Sequence, residues 1–296
     1  MRAPVASGIV VPVITPFDTE EHIYEIALRR VVEYVLVNGV HGLFAMTSTG
    51  ESVALSDREW ARGIDIISQQ ANGRVPVLAG VSAAGTGLAI ARAQEAERLG
   101  VDGIVSTLPF YYRLERNEMV DHYRELANAT HLPIYAYDMP LTKMSFSEEM
   151  VADLVGIDRI VGLKDSSNDF TLFQKLVARF SGRLSMFQGN ETMIAHSLFA
   201  GAGGGVLGLA NVAPRLCADL FEACATRNYE RAYVLQRRLV SLHYISRVGP
   251  NPLTGVKCAM ELLGFGSDRM TRPMRPLSPA QKEIVRHWLV KLELIH

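Results

Sequence analysis

The chain has 296 residues, a formal net charge of -1 and 48% hydrophobic residues. This balanced charge, without runs of like charge, gives no electrostatic reason to expect nucleic acid or an anionic membrane as a partner. The cysteines (Cys217, Cys224 and Cys258) match no zinc or redox spacing, and no stretch approaches the roughly 18 apolar residues of a membrane helix. The first residues lack the apolar stretch of a signal peptide. We therefore expect a cytoplasmic protein whose partner is a small molecule.

Short apolar runs alternate with longer amphipathic segments along most of the chain. The apolar runs predict strands at residues 9–17, 42–46, 75–81, 103–107, 133–139, 160–166, 184–189 and 205–208. The segments between and after them predict helices at residues 24–38, 57–71, 86–99, 117–129, 147–155, 170–180, 192–199 and 214–225. Eight such strand–helix units predict an α/β fold with a closed (β/α)8 TIM barrel, and a doubly wound open sheet is the alternative.

Three further helical patterns follow the last predicted strand–helix unit. They cover residues 229–247, 252–263 and 278–294, with no strand between them. No low-complexity linker marks a second domain. We therefore predict a barrel with the catalytic site over residues 1–225 and a C-terminal helical extension over residues 226–296.

Lys164 is the first candidate for chemistry, because working residues in such barrels follow the carboxyl ends of strands. It stands near the end of the sixth predicted strand, and alternation places Gly162 and Ser166 on the same face. Gly162 is expected to leave space beneath the amine. Burial lowers the pKa of an amine, and a neutral amine can attack a carbonyl carbon. The alternative is a lysine in a salt bridge with Asp165 or another acid, and most of the other lysines lie in patterns typical of solvated helix or loop.

Three other features follow predicted strands. Tyr137 ends the fifth strand, where a phenol can relay protons or simply pack at the barrel rim. The hydroxyls and amides of residues 47–51 (Thr-Ser-Thr-Gly-Glu) can bind a carboxylate, although such turns are common. Tyr111, after the fourth strand, can reach a site or pack in an interface. No His-x-His or His-Glu-x-x-His pattern is present, and we predict no metal.

Together these residues resemble the dihydrodipicolinate synthase / N-acetylneuraminate lyase family of class I aldolases. The likeness runs from residues 12–17 (Pro-Val-Ile-Thr-Pro-Phe) to residues 272–278 (Arg-Pro-Met-Arg-Pro-Leu-Ser). Residues 47–51 are similar to the family turn Gly-[Ser/Thr]-Thr-Gly-Glu. Residues 137–140 (Tyr-Asp-Met-Pro) resemble its Tyr-Asn-x-Pro motif, and residues 162–164 (Gly-Leu-Lys) resemble its Gly-x-Lys motif. The three motifs occur in the family's order, each at or after a predicted strand.

The resemblance implies a role for each matching residue. Lys164 would form an imine with pyruvate or another 2-oxo acid, without an external cofactor, and Tyr137 would shuttle protons. Ser48 and Thr49 would hold the carboxylate, and Thr49 would link Tyr137 into a proton relay. Tyr111 matches a tyrosine donated across a subunit interface, which implies a homo-oligomer, either a tetramer or a dimer. The other candidate substrate-binding residues are Thr142, Ser166, Glu191 and Val206, the last through its backbone carbonyl.

Several positions depart from the family pattern. Members that condense pyruvate with aspartate semialdehyde carry an arginine where this chain has Thr142, and a threonine cannot replace a bidentate guanidinium. Thr47 replaces the usual glycine and is expected to narrow its turn, while Asp138 replaces asparagine and is expected to add charge near the mouth. Glu191 and Thr192 lie where sugar-acid members bind hydroxyls.

The resulting hypothesis is a Schiff-base lyase or aldolase that acts on pyruvate or a 2-oxo deoxy sugar acid. The alternatives within the family are a 4-hydroxy-tetrahydrodipicolinate synthase and a 2-oxo sugar acid dehydratase. A non-catalytic ligand-binding barrel is an alternative of a different class, as is a metal-dependent aldolase or isomerase.

Overall fold

Eight parallel strands form a closed ring at the centre of this computed structural model, which describes residues 6–295. The strands neighbour one another in chain order, and pairing of the eighth with the first closes the ring. The predicted barrel is therefore confirmed and the open sheet is wrong. The strands are β1 (Gly8–Pro12), β2 (Gly42–Ala45), β3 (Val77–Gly80), β4 (Gly103–Thr107), β5 (Ile134–Asp138), β6 (Ile160–Asp165), β7 (Ser185–Gln188) and β8 (Gly204–Val206).

A helix follows each strand, and three more helices follow the last unit. The first eight are α1 (Glu25–Val37), α2 (Asp57–Ala71), α3 (Thr86–Arg98), α4 (Arg116–Ala129), α5 (Glu148–Val155), α6 (Phe170–Phe180), α7 (Ile194–Phe199) and α8 (Pro214–Ala225). The last three are α9 (Tyr229–His243), α10 (Pro252–Leu262) and α11 (Pro279–Lys291). Helices after the barrel are thus confirmed, while a domain boundary at residue 225 stays a prediction. Within residues 6–295 no helix is long and apolar enough to cross a membrane.

Two predicted elements end four or more residues earlier than expected. The first strand ends at Pro12. Two residues later the Ile14 N–H donates to Asn211 Oδ1 at 3.1 Å instead of to a neighbouring strand, so the chain leaves the sheet there. The ninth helix stops at His243, and residues 244–247 form a separate 3-10 turn. Periodicity alone does not distinguish such a turn from the end of an α-helix.

The strands bury apolar side chains on both faces, as parallel strands in a barrel require. The larger apolar layer lies between the strands and the helices. A smaller cluster fills the barrel interior and comprises Ala6, Val10, Phe44, Leu78, Val105, Tyr135, Tyr137, Val161, Phe187 and Val206. This interior cluster forms the floor and walls beneath any group that projects from the carboxyl ends of the strands.

Gly162 makes room for an aromatic ring inside the barrel. A Cβ at this position would lie inside contact distance of the Tyr135 ring and 2.8 Å from the Ser185 carbonyl oxygen. The expectation that Gly162 leaves space beneath the Lys164 amine was therefore wrong in its detail. Glycine is required because the fully buried Tyr135 ring occupies that space.

Gly162→Ala is expected to destabilise the protein by about 2 kcal/mol or more, because an added methyl overpacks a filled interior. Gly87→Ala is the matched control, since a Cβ there meets no atom within 4 Å and α3 should gain helix propensity. Chemical unfolding of both variants measures the difference. Equal stability of the two variants would mean that Tyr135 moves aside without cost.

Candidate active site

The side chains of Lys164 and Tyr137 meet at the carboxyl ends of adjacent strands. The two residues are paired in register between β5 and β6, and both are buried, with 7% and 6% of their surface exposed. The Lys164 Nζ lies 4.0 Å from the centroid of the Tyr137 ring and 5.5 Å from that of Phe44. The amine is thus held over aromatic faces inside the barrel and does not extend into solvent.

A narrow apolar pocket surrounds the lysine. Its other lining residues are Val10, Phe44, Leu78, Val105, Tyr135, Phe187 and Val206. Among residues 6–295 no carboxylate lies within salt-bridge distance of the Lys164 amine, so the interpretation of Lys164 as one half of a salt bridge fails. The neighbouring Asp165 instead accepts the Ser167 N–H at 2.6 Å. The Lys164 amine is therefore enclosed by apolar and aromatic side chains.

The hydroxyl of Tyr137 has two partners near the amine. It donates to Met139 Sδ at 3.2 Å and accepts from Ser166 Oγ at 3.5 Å. Within the described part of the chain no hydrogen bond joins it to Thr49, so the relay through Thr49 stays a prediction. A thioether is a weak acceptor, and a substrate oxygen can therefore displace Met139 at little cost.

The turn formed by residues 47–51 is braced from within. Thr47 is buried, and its Oγ1 accepts the N–H groups of Thr49 at 2.9 Å and Gly50 at 3.3 Å. Two N–H groups of the turn are therefore already hydrogen-bonded. Thr47 was expected to narrow the turn, and it instead caps these two N–H groups with its hydroxyl. Ser48 is exposed and Thr49 half-buried, so the hydroxyls of these residues are the turn's accessible donors for a carboxylate.

The remaining candidates occupy different surroundings. Val206 lines the lysine pocket from β8. Thr142 stabilises its own loop, since its Oγ1 donates to the Met139 carbonyl at 2.9 Å and accepts the Met144 N–H at 3.4 Å. Neither observation tests the substrate-binding role that was predicted for these residues.

Glu191 and Tyr111 do not line the lysine pocket. The Glu191 carboxylate accepts the Leu209 N–H at 3.2 Å and lies 3.6 Å from His243 Nδ1, so it joins the segment after β8 to α9. Tyr111 is 88% exposed, and its ring packs against Tyr112 at 5.0 Å between centroids. The tyrosine is thus available to a second subunit, and its catalytic role stays a prediction.

Asp138 is a buried acid behind the site and not a charge at its mouth. Only 3% of its surface is exposed; its Oδ2 accepts the Phe146 N–H at 3.1 Å, and its Oδ1 has no hydrogen-bond partner among residues 6–295. Burial, together with the charge of Asp165 on the next strand, raises the pKa of Asp138 to about 7. Alternation along β5 explains the placement, because Tyr137 points inward and its neighbour outward.

The sequence contained further site residues that were not singled out. Phe44 and Tyr135 were visible only as members of apolar strands, although Tyr135 shares a strand face with Tyr137. Met139 lay inside the tyrosine motif without a reason to assign it a contact. Among residues 6–295 no three His, Cys, Asp or Glu side chains are grouped so that they could hold a metal ion.

Asp138→Asn is expected to change how stability depends on pH. Because the folded pKa is raised, the folded state binds the proton more tightly than the unfolded state, and the free energy of unfolding falls as pH rises from about 4 to about 7. Removing the acid should therefore stabilise the protein above pH 7, by on the order of 4 kcal/mol. Thermal unfolding from pH 5 to 8 measures this, with exposed Asp158→Asn as the control. Parallel pH profiles for wild type and Asp138→Asn would contradict the assignment.

Comparison with known proteins gives a single family over nearly the whole chain. Residues 5–292 match the Dihydrodipicolinate synthetase family. An uncharacterised DapA-like lyase of Halobacterium salinarum is 34% identical over 289 residues, covering 97% of this chain and 94% of the relative. A 4-hydroxy-tetrahydrodipicolinate synthase of Acidiphilium cryptum is 32% identical, with 97% and 99% covered. The dihydrodipicolinate synthase of Acinetobacter baumannii, solved in complex with pyruvate, superposes with a TM-score of 0.94 at 27% identity, covering 99% of this chain and 100% of that one. The chain belongs to the dihydrodipicolinate synthetase family, whose members include lyases.

Proposed function

We propose that this protein is a Schiff-base-forming lyase that makes or breaks a carbon–carbon bond of a 2-oxo acid through an imine on Lys164. The substrate class is pyruvate or a 2-oxo deoxy sugar acid. The observation that carries the proposal is the placement of the Lys164 amine in an apolar pocket at the carboxyl end of a closed barrel, 4.0 Å from the Tyr137 ring centroid. Such an amine is desolvated and confined, as a nucleophile toward a carbonyl must be.

The chemistry follows from the groups around the amine. The neutral amine of Lys164 adds to the ketone carbon, the resulting carbinolamine loses water, and a protonated imine forms. Each step needs a proton moved over a short distance, and we assign this to the Tyr137 hydroxyl, which accepts a hydrogen bond from Ser166 Oγ. The protonated imine then accepts the electron pair released when the carbon–carbon bond breaks, while the hydroxyl on the departing carbon loses its proton and that fragment leaves as an aldehyde. The resulting enamine is protonated on carbon, and hydrolysis of the imine releases the 2-oxo acid and restores the Lys164 amine. No external cofactor is required for this sequence.

Carboxylate recognition is assigned to the turn formed by residues 47–51. Its accessible hydroxyls belong to Ser48 and Thr49, at the carboxyl end of β2. A pyruvate-bound relative supports the choice of a 2-oxo acid, since the Acinetobacter baumannii synthase of the same family was solved with that ligand. The partner is therefore a small anionic metabolite.

A homo-oligomer, either a tetramer or a dimer, is part of the proposal. Tyr111 is 88% exposed, and other large apolar side chains in the segments after the strands are exposed as well. They are Val53, Leu88, Tyr112 and Leu141. Exposed large apolar and aromatic side chains are enriched at protein interfaces. We also propose that the protein acts in the cytoplasm, where its three buried cysteines are free thiols.

Borohydride trapping with pyruvate tests the proposal. Reduction of the imine should add a stable pyruvate-derived group to Lys164, read by intact mass and peptide mapping. Lys164→Ala should show no adduct at that position, whereas Lys175→Ala, which removes an exposed lysine of α6, should be labelled like wild type. Absence of an adduct from folded wild-type protein, over a range of pH, would exclude the imine and favour a non-catalytic binding barrel.

Condensation of pyruvate with aspartate semialdehyde is the second candidate function, and Thr142 argues against it. The threonine hydroxyl is engaged within its own loop, and no guanidinium stands at this position to hold a second carboxylate. The same imine would equally acidify the adjacent carbon for a dehydration, so a sugar acid dehydratase is a variant of the proposal.

Thr142→Arg is expected to create measurable semialdehyde condensation, because a guanidinium can bind the second carboxylate through two hydrogen bonds. Thr142→Gln is the matched control, being long but uncharged, and should show none. Product formation from both substrates is followed by mass spectrometry. If the arginine variant still forms the pyruvate adduct but gives no condensation product, other loop residues determine which second substrate is accepted.

A further inference from the structure

A buried ion pair links the turn formed by residues 47–51 to the helices after the barrel. The Nζ of Lys257, on α10, lies 2.6 Å from Oε1 of Glu51, the last residue of the turn. Only 1% of the lysine side chain and none of the glutamate side chain is exposed. Burial of this lysine was not foreseen, since helix periodicity made a solvated position the more natural expectation. Two charges are seldom buried together without further hydrogen bonds that compensate for lost hydration.

The structure supplies those further contacts from two separate segments. Lys257 also donates to the Thr15 carbonyl oxygen at 2.9 Å and lies 4.3 Å from the centroid of the Phe17 ring. The second carboxylate oxygen of Glu51 accepts both the N–H and the hydroxyl of Thr271, each at 2.7 Å. The turn is therefore anchored to the segment after β1 on one side and to residues 257 and 271 on the other.

Backbone hydrogen bonds connect Glu51 to the part of the turn that carries the accessible hydroxyls of Ser48 and Thr49. Glu51 has a φ of 59°, a left-handed conformation that residues other than glycine rarely adopt. Its N–H donates to the Ser48 carbonyl at 3.1 Å, and the next N–H, of Ser52, donates to the Thr47 carbonyl at 3.1 Å. The Gly50 carbonyl accepts from Thr15 Oγ1 at 2.8 Å. Displacement of Glu51 would thus shift the backbone of Ser48 directly.

We propose that Lys257 and Glu51 position the turn of residues 47–51, so that the helices after the barrel set the affinity of the site for a substrate carboxylate. This inference rests on the proposed function. Neither residue touches the reacting atoms, and both act through the hydroxyls of Ser48 and Thr49. A charged pair suits this role because its geometry is directional, whereas an apolar pair of the same size would hold α10 equally well without fixing the turn.

Lys257→Met tests the proposal with two carbonyl probes that label Lys164 under borohydride. Pyruvate carries the carboxylate, and acetaldehyde lacks it. The pyruvate concentration that gives half-maximal labelling should rise about tenfold, equivalent to about 1.4 kcal/mol of lost binding free energy. The acetaldehyde concentration that gives half-maximal labelling should change by less than about twofold, because the amine and its pocket are unaltered. Peptide mapping restricts both readings to Lys164.

Lys291→Met is the control from the same region. Its Nζ belongs to an exposed residue of α11 and lies 4.6 Å from the centroid of the Trp288 ring, so both labelling curves should stay unchanged. If Lys257→Met fails to fold, Thr271→Val removes one donor to Glu51 while sparing the ion pair, and should shift the pyruvate curve in the same direction. Lys257→Arg should recover part of the loss, since it retains the charge.

Two outcomes would overturn the inference. One is a folded Lys257→Met or Thr271→Val variant with an unchanged pyruvate curve, which would leave the ion pair a purely structural role. The other is an equal loss with both probes, which would indicate general distortion of the barrel. Failure of the proposed function is distinguishable from either, because wild-type protein would then show no labelling of Lys164 with pyruvate.

Discussion

The enclosure of one amine by a closed barrel is the constraint on which the rest of the site depends. Ring closure between β1 and β8 brings the carboxyl ends of all eight strands around a narrow apolar interior. Lys164 reaches into that interior from β6 and meets the face of Tyr137 from β5. An open sheet could carry both residues on neighbouring strands, but it could not exclude water from the amine on every side. The chemistry proposed for the lysine therefore follows from the topology as much as from the residue.

The fold was predictable because strand and helix periodicity recur eight times. The positions of Lys164 and Tyr137 at strand ends followed from the same reasoning. Their pairing in register did not, because a shift in pairing between Ile134 and Tyr135 aligns the two strands. Local sequence carries no signal for such a shift. The role of Gly162 was misjudged for a similar reason, since the ring that fills the space beside it comes from the neighbouring strand.

Long-range contacts account for most of what the sequence did not reveal. Lys257 and Glu51 are 206 residues apart, and neither lies in a pattern that points to the other. The Tyr-Asp-Met-Pro motif suggests that Asp138 lies at the mouth beside Tyr137, whereas strand alternation turns Asp138 outward and buries it. Thr47 was expected to change the width of a turn, and its hydroxyl instead satisfies two of that turn's amides. In each case the missing information was the direction of a side chain relative to a distant partner.

A crystal structure of the protein with pyruvate would test the central claim most directly. We expect continuous density from the Lys164 Nζ to the former ketone carbon. The carboxylate should lie against the hydroxyls of Ser48 and Thr49, and the Tyr137 hydroxyl should turn from Met139 toward the imine. The imine mechanism would be contradicted by pyruvate bound without a covalent bond. It would also be contradicted by pyruvate bound away from the barrel interior while Lys164 keeps its contact with the Tyr137 ring.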